Sequence, residues 1–237
     1  MSEVLLVPEL VEDPPLPIIE HLSELRKRLL YSLALWTFVS AAVFDRSGAI
    51  LTWLAKPAGG LVFQAPAEAF YTRLQVAGYA GFVLALPLIL HQAWLFISPA
   101  VSRTWKRLLT RLLPASYGLF MLGVGLAVFG VVPGALRFLL GYGSEGVRPL
   151  LTLAAYLDFV TGLSLAFGGV FQLPLVLYGL NRAEVLSRER LSEARRLVYL
   201  LCFIGGALLT PGPDMVLQMA LALPAVVLFE LTLLVMD

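Results

Sequence analysis

The sequence predicts an all-α, polytopic membrane protein with six transmembrane helices. Of its 237 residues, 59% are hydrophobic and only 14% are charged, and the mean hydropathy is +0.86. A soluble domain carries about a quarter charged residues, so this composition indicates a protein that crosses a membrane several times. The apolar residues also fall into six segments separated by proline, glycine and charge, and a helical span needs roughly 20 such residues.

The chain before the first apolar segment is different in character. Residues 1–17 contain four prolines and several acidic residues, a composition typical of an extended segment rather than of a cleavable signal. We expect a flexible cytoplasmic tail at 1–17, followed by one six-span membrane domain at 18–237.

Six apolar segments follow, with two long loops between them. The loop at 45–72 is predicted to hold a short helix near 50–55, and the loop at 133–155 is the second. Pro174 lies near the end of the fourth span, and Pro87 is expected to bend the second span. The predicted spans are residues 29–44, 74–97, 112–132, 159–180, 197–209 and 215–236.

The fifth segment is the shortest. Residues 197–209 give a helix of about 20 Å before the turn at 210–214, so this hairpin either thins the bilayer or dips into it without crossing. A thin crossing is favoured, because Asp214 and its neighbouring prolines are costly in hydrocarbon.

Basic residues fix the predicted orientation, because cytoplasmic loops carry an excess of lysine and arginine. Five basic residues lie in one set of loops and twelve in the other, which places both termini in the cytoplasm. The five are Arg46, Lys56, Arg73, Arg137 and Arg148; the twelve are Arg26, Lys27, Arg28, Arg103, Lys106, Arg107, Arg111, Arg182, Arg188, Arg190, Arg195 and Arg196.

The segment before the first span, residues 18–30, is amphipathic and carries two carboxylates at its start. Glu20 and Glu24 are four residues apart and therefore lie on one face of a helix. Two carboxylates at a cytoplasmic membrane entrance suit a basic ligand, although a solvated helix face has the same pattern.

The sequence offers little that could support catalysis. Its only histidines are His21 and His91, and it has neither a metal-ligand motif nor a nucleophile motif. We therefore expect no enzyme activity, no metal, no cofactor and, with a net charge of +1, no nucleic-acid partner. The polar residues within the predicted spans are the remaining candidates for function, because they are costly to bury in lipid: Gln75, Gln92, Gln172, Gln218 and Glu230.

Several short motifs resemble those of one family, the multi-spanning receptor subunit of the twin-arginine protein translocase (TatC). Together they cover roughly residues 17–236. The motifs are His21-Leu22-x-Glu24-Leu25-Arg26-x-Arg28, Pro66-x-Glu68-x-Phe70, Gln92-x-Trp94-x-Phe96-Ile97-x-Pro99-Ala100 and Phe167-Gly168-x-x-Phe171-x-x-Pro174, followed by Thr210-Pro211, Asp214, Gln218, Pro224 and Phe229-Glu230.

The resemblance implies a cupped bundle of six helices with short fifth and sixth helices, in the inner membrane. It also implies a complex, expected to be oligomeric, with single-span partner subunits of the TatA and TatB type. The implied task is to bind the twin-arginine signal peptides of folded proteins at the cytoplasmic face. The same subunit would organise a translocation site driven by the proton motive force.

Individual residues carry this implication. Glu24 matches the family's acid that pairs with the signal's arginines, and a carboxylate gives a guanidinium the bidentate contact it needs. Arg26 matches a basic residue that holds the local geometry. Phe96 and Pro99 match the loop that shapes the signal site. Thr210 and Gln218 match polar positions of the family where partner helices dock.

Two departures from the family pattern stand out. The family's second acid, in the loop after Pro99, is replaced here by Trp105, and 101–111 contains no acidic residue. The family's intramembrane glutamate is replaced by Gln172, which keeps a hydrogen-bonding group but no titratable charge. We therefore expect Glu24, helped by Glu20, to hold the arginine pair, with the Trp105 ring offering a cation–π contact.

Three other hypotheses are compatible with the sequence. A divergent paralogue would keep the fold and bind signals weakly. A small-solute transporter would need a polar pathway and shows no internal repeat. A structural scaffold would leave the acidic entrance unexplained.

Overall fold

The computed structural model describes residues 18–97, 103–141, 150–182, 184–210 and 215–236, without the side chains at 18, 103–109 and 111. The predicted tail at 1–17 lies outside these ranges. Within the described ranges, a 3-10 turn (Lys56–Ala58) and a π-helical segment (Leu126–Val131) accompany ten α-helices. The helices are α1 (Ile18–Phe44), α2 (Ser47–Ala55), α3 (Pro66–Ile97), α4 (Arg103–Gly125), α5 (Val132–Leu140), α6 (Leu153–Val170), α7 (Leu173–Arg182), α8 (Arg188–Glu193), α9 (Arg195–Leu209) and α10 (Met215–Val235).

The all-α fold class is confirmed, and the long apolar helices are those that the sequence predicts. Among the described residues, five candidate spans are long and apolar enough to cross a membrane, and they contain α1, α3, α4 with α5, α6 with α7, and α10. Helix α9 has 15 residues, which corresponds to about 22 Å. It is therefore shorter than the roughly 30 Å of a bilayer's hydrocarbon core.

The amphipathic entrance and the first span form one continuous helix, α1, which begins at Ile18. Among the side chains described in α1 none is fully buried, because this helix packs almost entirely along α3. Trp36 donates its indole N–H to the Gly78 carbonyl at 2.8 Å, and the rings of Phe44 and Phe70 meet edge to face. The two helices are therefore antiparallel along their whole length.

The fourth predicted span is not one straight helix. It divides at residues 171–172 into α6 and α7. Pro174 explains the break, because proline has no N–H to donate to the carbonyl four residues earlier and its ring clashes with that carbonyl. The chain closes α6 with a bond from the Phe171 N–H to the Phe167 carbonyl at 3.0 Å.

The third predicted span continues further than expected, through the π-helical segment into α5. The Val132 N–H donates to the Ala127 carbonyl, five residues back. The regular α-helical ladder is interrupted at this point in any case, because Pro133 has no N–H. The first part of the predicted loop at 133–155 is therefore helical.

Helix α6 is the centre of the bundle. Leu157, Leu163 and Phe167 are fully buried, and the hydroxyl of buried Tyr156 donates to the Leu54 carbonyl at 2.6 Å. Gly123 allows α4 to approach α6 closely, since a Cβ on this residue would lie 2.5 Å from the Phe167 carbonyl oxygen. At Gly123 the backbones of α4 and α6 are therefore in direct contact.

The helices define two ends of the bundle. At the basic end, α1 begins beside the end of α3, and the start of α9 lies beside the end of α10. At the loop end, the two long loops pair: the Leu153 N–H donates to the Val62 carbonyl at 2.8 Å. The basic end carries the acidic entrance that the sequence predicts.

Candidate functional site

The centre of the candidate site is an ion pair between Glu24 and Arg28, one turn apart on α1. Glu24 Oε1 accepts from Arg28 Nε at 2.6 Å and lies 2.5 Å from Arg28 Nη2. Arg28 Nη1 donates to Gln92 Oε1 on α3 at 3.1 Å. The acidic entrance thus already binds a guanidinium, and Gln92 fixes that guanidinium to the neighbouring helix.

This ion pair is only partly open to solvent. The side chains of Arg28 and Glu24 are 24% and 27% exposed, so water screens their attraction less than it screens a surface pair. A charge-assisted contact of this kind is about twice as strong as a neutral hydrogen bond. The site therefore has the chemistry that recognises arginine.

An aromatic contact closes the same end of the α1–α3 pair. The rings of His21 and Phe96 stack with centroids 4.4 Å apart and an interplanar angle of 22°. Phe96, predicted from the sequence to shape the site, is therefore brought against the helix that carries Glu24. Its partner His21 was not among the predicted site residues.

Glu20 and Arg26 are both exposed. Within the described ranges, neither forms an ion pair with a neighbouring side chain. Glu20 lies one turn before Glu24 on the same face of α1, so its carboxylate is free for an incoming cation. Arg26 is two residues from Glu24 and therefore lies on another face, and it is Arg28 that contacts Glu24.

The side chains of two predicted site residues are not described. Pro99 lies outside the described residues. Position 105 is in the first turn of α4, but the Trp105 side chain is not described. The proposed cation–π contact therefore remains a prediction.

Gln172, at the break between α6 and α7, is half-buried and bound to α4. It accepts from the Ser116 hydroxyl at 2.6 Å and donates to the Ser116 carbonyl at 3.0 Å. Both ends of its amide are therefore satisfied within the bundle. This contact is an interhelical bond of the kind that stabilises membrane helices.

Thr210 and Gln218 lie in the hairpin of α9 and α10. The buried Thr210 hydroxyl donates to the Gly206 carbonyl at 2.8 Å, and Gln218 donates to the Phe203 carbonyl at 3.0 Å. A Cβ on Gly206 would lie 3.1 Å from the Gln218 carbonyl oxygen. The Gln218 bond and the close approach at Gly206 hold the short α9 against α10, whereas the Thr210 bond closes the end of α9.

Two further carboxylates make polar contacts that were not predicted from the sequence. Glu68 Oε1 accepts from the Ala154 N–H at 2.9 Å and Oε2 from the Gln64 N–H at 2.7 Å, so this carboxylate caps the start of α6 and ties both loops together. Asp158 accepts from Gln75 at 2.8 Å. Glu68 appeared in a motif, but a motif does not say which backbone N–H groups it meets.

An ion pair and a hydrogen bond join the start of α9 to the end of α10. Glu230 Oε1 accepts from the Tyr199 hydroxyl at 2.5 Å and lies 3.2 Å from Arg195 Nε. Glu230, a polar candidate from the sequence, thus has a structural role at the basic end. Across the described part of the chain, no group of three or more His, Cys, Asp and Glu residues could hold a metal ion.

Comparisons with known proteins agree with one another. Residues 20–224 match the family model for TatC, the Sec-independent protein translocase protein. The TatC proteins of Carboxydothermus hydrogenoformans and Aquifex aeolicus are each 35% identical; the first match covers 94% of this chain and 93% of that protein, the second 92% and 93%. A crystal structure of a twin-arginine translocase receptor, TatC in DDM, matches with a TM-score of 0.81 at 35% identity, covering 92% of this chain and 99% of that one.

Proposed function

Because the chain belongs to the TatC family, and is therefore a subunit of the Sec-independent (Tat) protein translocase, we propose that it is the subunit that receives twin-arginine signal peptides. It is a multi-pass protein of the inner membrane that works with other subunits of the Tat complex. On this proposal the signal's arginines bind at Glu20 and Glu24, and the bound subunit organises a translocation site driven by the proton motive force.

One observation carries the proposal: Glu24 binds a guanidinium, that of Arg28, through two N–H groups. A site that holds one guanidinium in this geometry is suited to hold another of the same shape and charge. Glu20 adds a second carboxylate one turn away, and Phe96 adds an apolar wall that suits the carbon chain of an arginine. Carboxylates and apolar walls together are what a twin-arginine peptide requires.

The proposal also requires the basic end to face the cytoplasm, with both termini on that side. The excess of lysine and arginine at this end supports that orientation. A cysteine introduced at exposed Arg188 should react with a membrane-impermeant thiol reagent only in inverted vesicles, in a variant without Cys202. Reaction from the outer face of intact cells would reverse the orientation.

Single-span partners of the TatA and TatB type are proposed to dock on the hairpin that contains Thr210 and Gln218. Leu200, Ile204 and Leu208 of α9 are exposed, so this short helix leaves an apolar face uncovered. A cysteine at Leu208 should form a disulfide with a matched cysteine in a partner helix. If only the far side of the bundle, for example Phe38 on α1, crosslinks, the docking site lies elsewhere.

The receptor function is tested by equilibrium binding of two signal peptides that differ only in Arg-Arg or Lys-Lys. For the detergent-solubilised chain, we expect the Arg-Arg peptide to bind roughly tenfold or more tightly, since lysine gives up the bidentate contact. Equal, weak binding of both peptides would instead identify a divergent paralogue that keeps the fold without reading the signal.

A further inference from the structure

We propose that an apolar slot at the loop end of the bundle binds one anionic phospholipid, with an acyl chain in the slot and the phosphate at Lys56. The slot is a cavity of about 220 Å³ between α2 with its following 3-10 turn on one side, and the π-helical segment, α5 and α6 on the other. It lies at the opposite end of the bundle from Glu24, so this inference does not depend on the proposed receptor function.

The walls of the slot are almost entirely apolar. Trp53 and Leu54 of α2 line one side, and Val128 and Phe129 of the π-helical segment line the other. Helical turns of the π type recur at functional sites in proteins. A concave, largely apolar surface with one polar group at its edge is the usual form of a site for an amphiphilic ligand.

The slot suits hydrocarbon better than water. Tyr156 also lines it, but the Tyr156 hydroxyl already donates to the Leu54 carbonyl at 2.6 Å. A buried water needs two to four polar partners, and an apolar cavity of about 150 Å³ is known to stay dry and to bind benzene. The slot is larger than that cavity, so part of an acyl chain fits in it.

The rim of the slot is open to the surrounding lipid. Phe129 belongs to the candidate span Leu112–Leu140 and is 72% exposed, so its ring faces the bilayer. Trp53, 44% exposed, meets this ring edge to face with centroids 5.5 Å apart. Tryptophan is typical of the membrane–water interface. An acyl chain can therefore enter the slot from the bilayer, next to the level of the lipid headgroups.

Lys56 supplies the charge that selects the lipid. Among the described residues that line the slot, Lys56 alone is charged. Its side chain is exposed and makes no ion pair within the described ranges. Basic pockets between membrane helices bind anionic headgroups. A zwitterionic lipid such as phosphatidylcholine carries its own cation beside the phosphate, and Lys56 repels that cation. The slot therefore favours a lipid with net negative charge.

The test titrates the detergent-solubilised full chain with phosphatidylglycerol or phosphatidylcholine of identical acyl chains, and counts bound lipid by native mass spectrometry. We expect the wild-type chain to bind phosphatidylglycerol more tightly. Lys56→Gln should weaken binding of phosphatidylglycerol roughly fivefold, the effect expected for one lysine near a headgroup. It should leave phosphatidylcholine binding nearly unchanged, so that the preference for the anionic lipid disappears.

Two further variants separate the slot from general attraction by charge. Arg46 is exposed at the start of α2 and does not line the slot, so Arg46→Gln removes one positive charge at the same end and should keep the preference. Val128→Phe fills the slot and should weaken binding of both lipids. Thermal unfolding, followed by reaction of the single Cys202 with a thiol-reactive dye, verifies that each variant is folded.

A phosphatidylglycerol with a photoreactive group on one acyl chain then locates the bound lipid. In proteoliposomes we expect it to label residues 53–57 or 128–133 in the wild-type chain, and several-fold less in Lys56→Gln. Labelling confined to other segments overturns the proposal. So does equal weakening of phosphatidylglycerol binding by Lys56→Gln and Arg46→Gln, or equal affinity of the wild-type chain for the two lipids. If Val128→Phe does not fold, the comparison of Lys56→Gln with Arg46→Gln still decides.

Discussion

Replacing Glu24 with glutamine is expected to weaken binding of a twin-arginine signal peptide by roughly 10- to 100-fold. The side chain keeps its size, but the carboxylate that binds a guanidinium becomes a neutral amide. The loss corresponds to about 1.5–3 kcal/mol, the usual worth of a hydrogen bond to a charged group. Equilibrium binding of a labelled peptide to the solubilised chain measures it directly.

Two other carboxylates provide the comparison. Glu20→Gln should weaken binding by a smaller factor, because Glu20 is exposed and water screens its charge. Glu184→Gln removes a carboxylate from an exposed turn and should leave affinity unchanged. If Glu24→Gln binds the peptide as well as the wild-type chain does, the arginines are recognised by a different part of the molecule.

Replacing Gly123 with alanine is expected to destabilise the bundle strongly, because the added methyl group has no room. Its Cβ would lie 2.5 Å from the Phe167 carbonyl oxygen, 2.8 Å from the Phe167 carbonyl carbon and 3.0 Å from the Gly168 nitrogen. All three are backbone atoms of α6, so no side chain can rotate away. Helices α4 and α6 must separate, at a cost of about 1–3 kcal/mol or more.

Gly118, five residues earlier on α4, is the matched control. A Cβ there meets no atom within 4 Å, so Gly118→Ala should leave stability unchanged or raise it by up to about 1 kcal/mol, since alanine is the better helix former. Reaction of Cys202 with a thiol dye during heating reports both melting temperatures. Equal melting of the two variants would mean that α4 and α6 are not packed through their backbones.

The architecture could be predicted from the sequence because few backbone structures can span a bilayer. Apolar segments of about 20 residues that cross a bilayer must be helices. The basic residues in the loops between them then predict the orientation of each helix. The bounds were less predictable: α6 ends where Pro174 removes a donor, but Pro87 and Pro114 remain inside helices. A proline marks a possible break, and packing decides whether the helix continues.

The sequence predicts the acidic residues of the candidate site but not the contacts that surround them. Glu20 and Glu24 follow from spacing on one helix, but the bond from Arg28 to Gln92 joins residues 64 positions apart. The stacking of His21 on Phe96 is likewise a contact between α1 and α3. Such pairs depend on how α1 aligns along α3, and this alignment cannot be deduced from a single sequence.

Gln172 illustrates the same limit. Its amide chemistry was visible in the sequence, and its place in the fourth span made it a candidate for a membrane cavity. The reciprocal bonds to Ser116 show that both ends of this amide serve to hold α4 against the break between α6 and α7.

The most direct test of the receptor account is photo-crosslinking of a twin-arginine signal peptide to the full chain, with a photoreactive residue at position 20 or 96. A third probe at Phe63, exposed at the loop end, serves as the control. The account predicts crosslinks from 20 and 96 that disappear when both arginines are lysines, and none from 63. Crosslinks that are insensitive to this change, or that form from 63 alone, would contradict it.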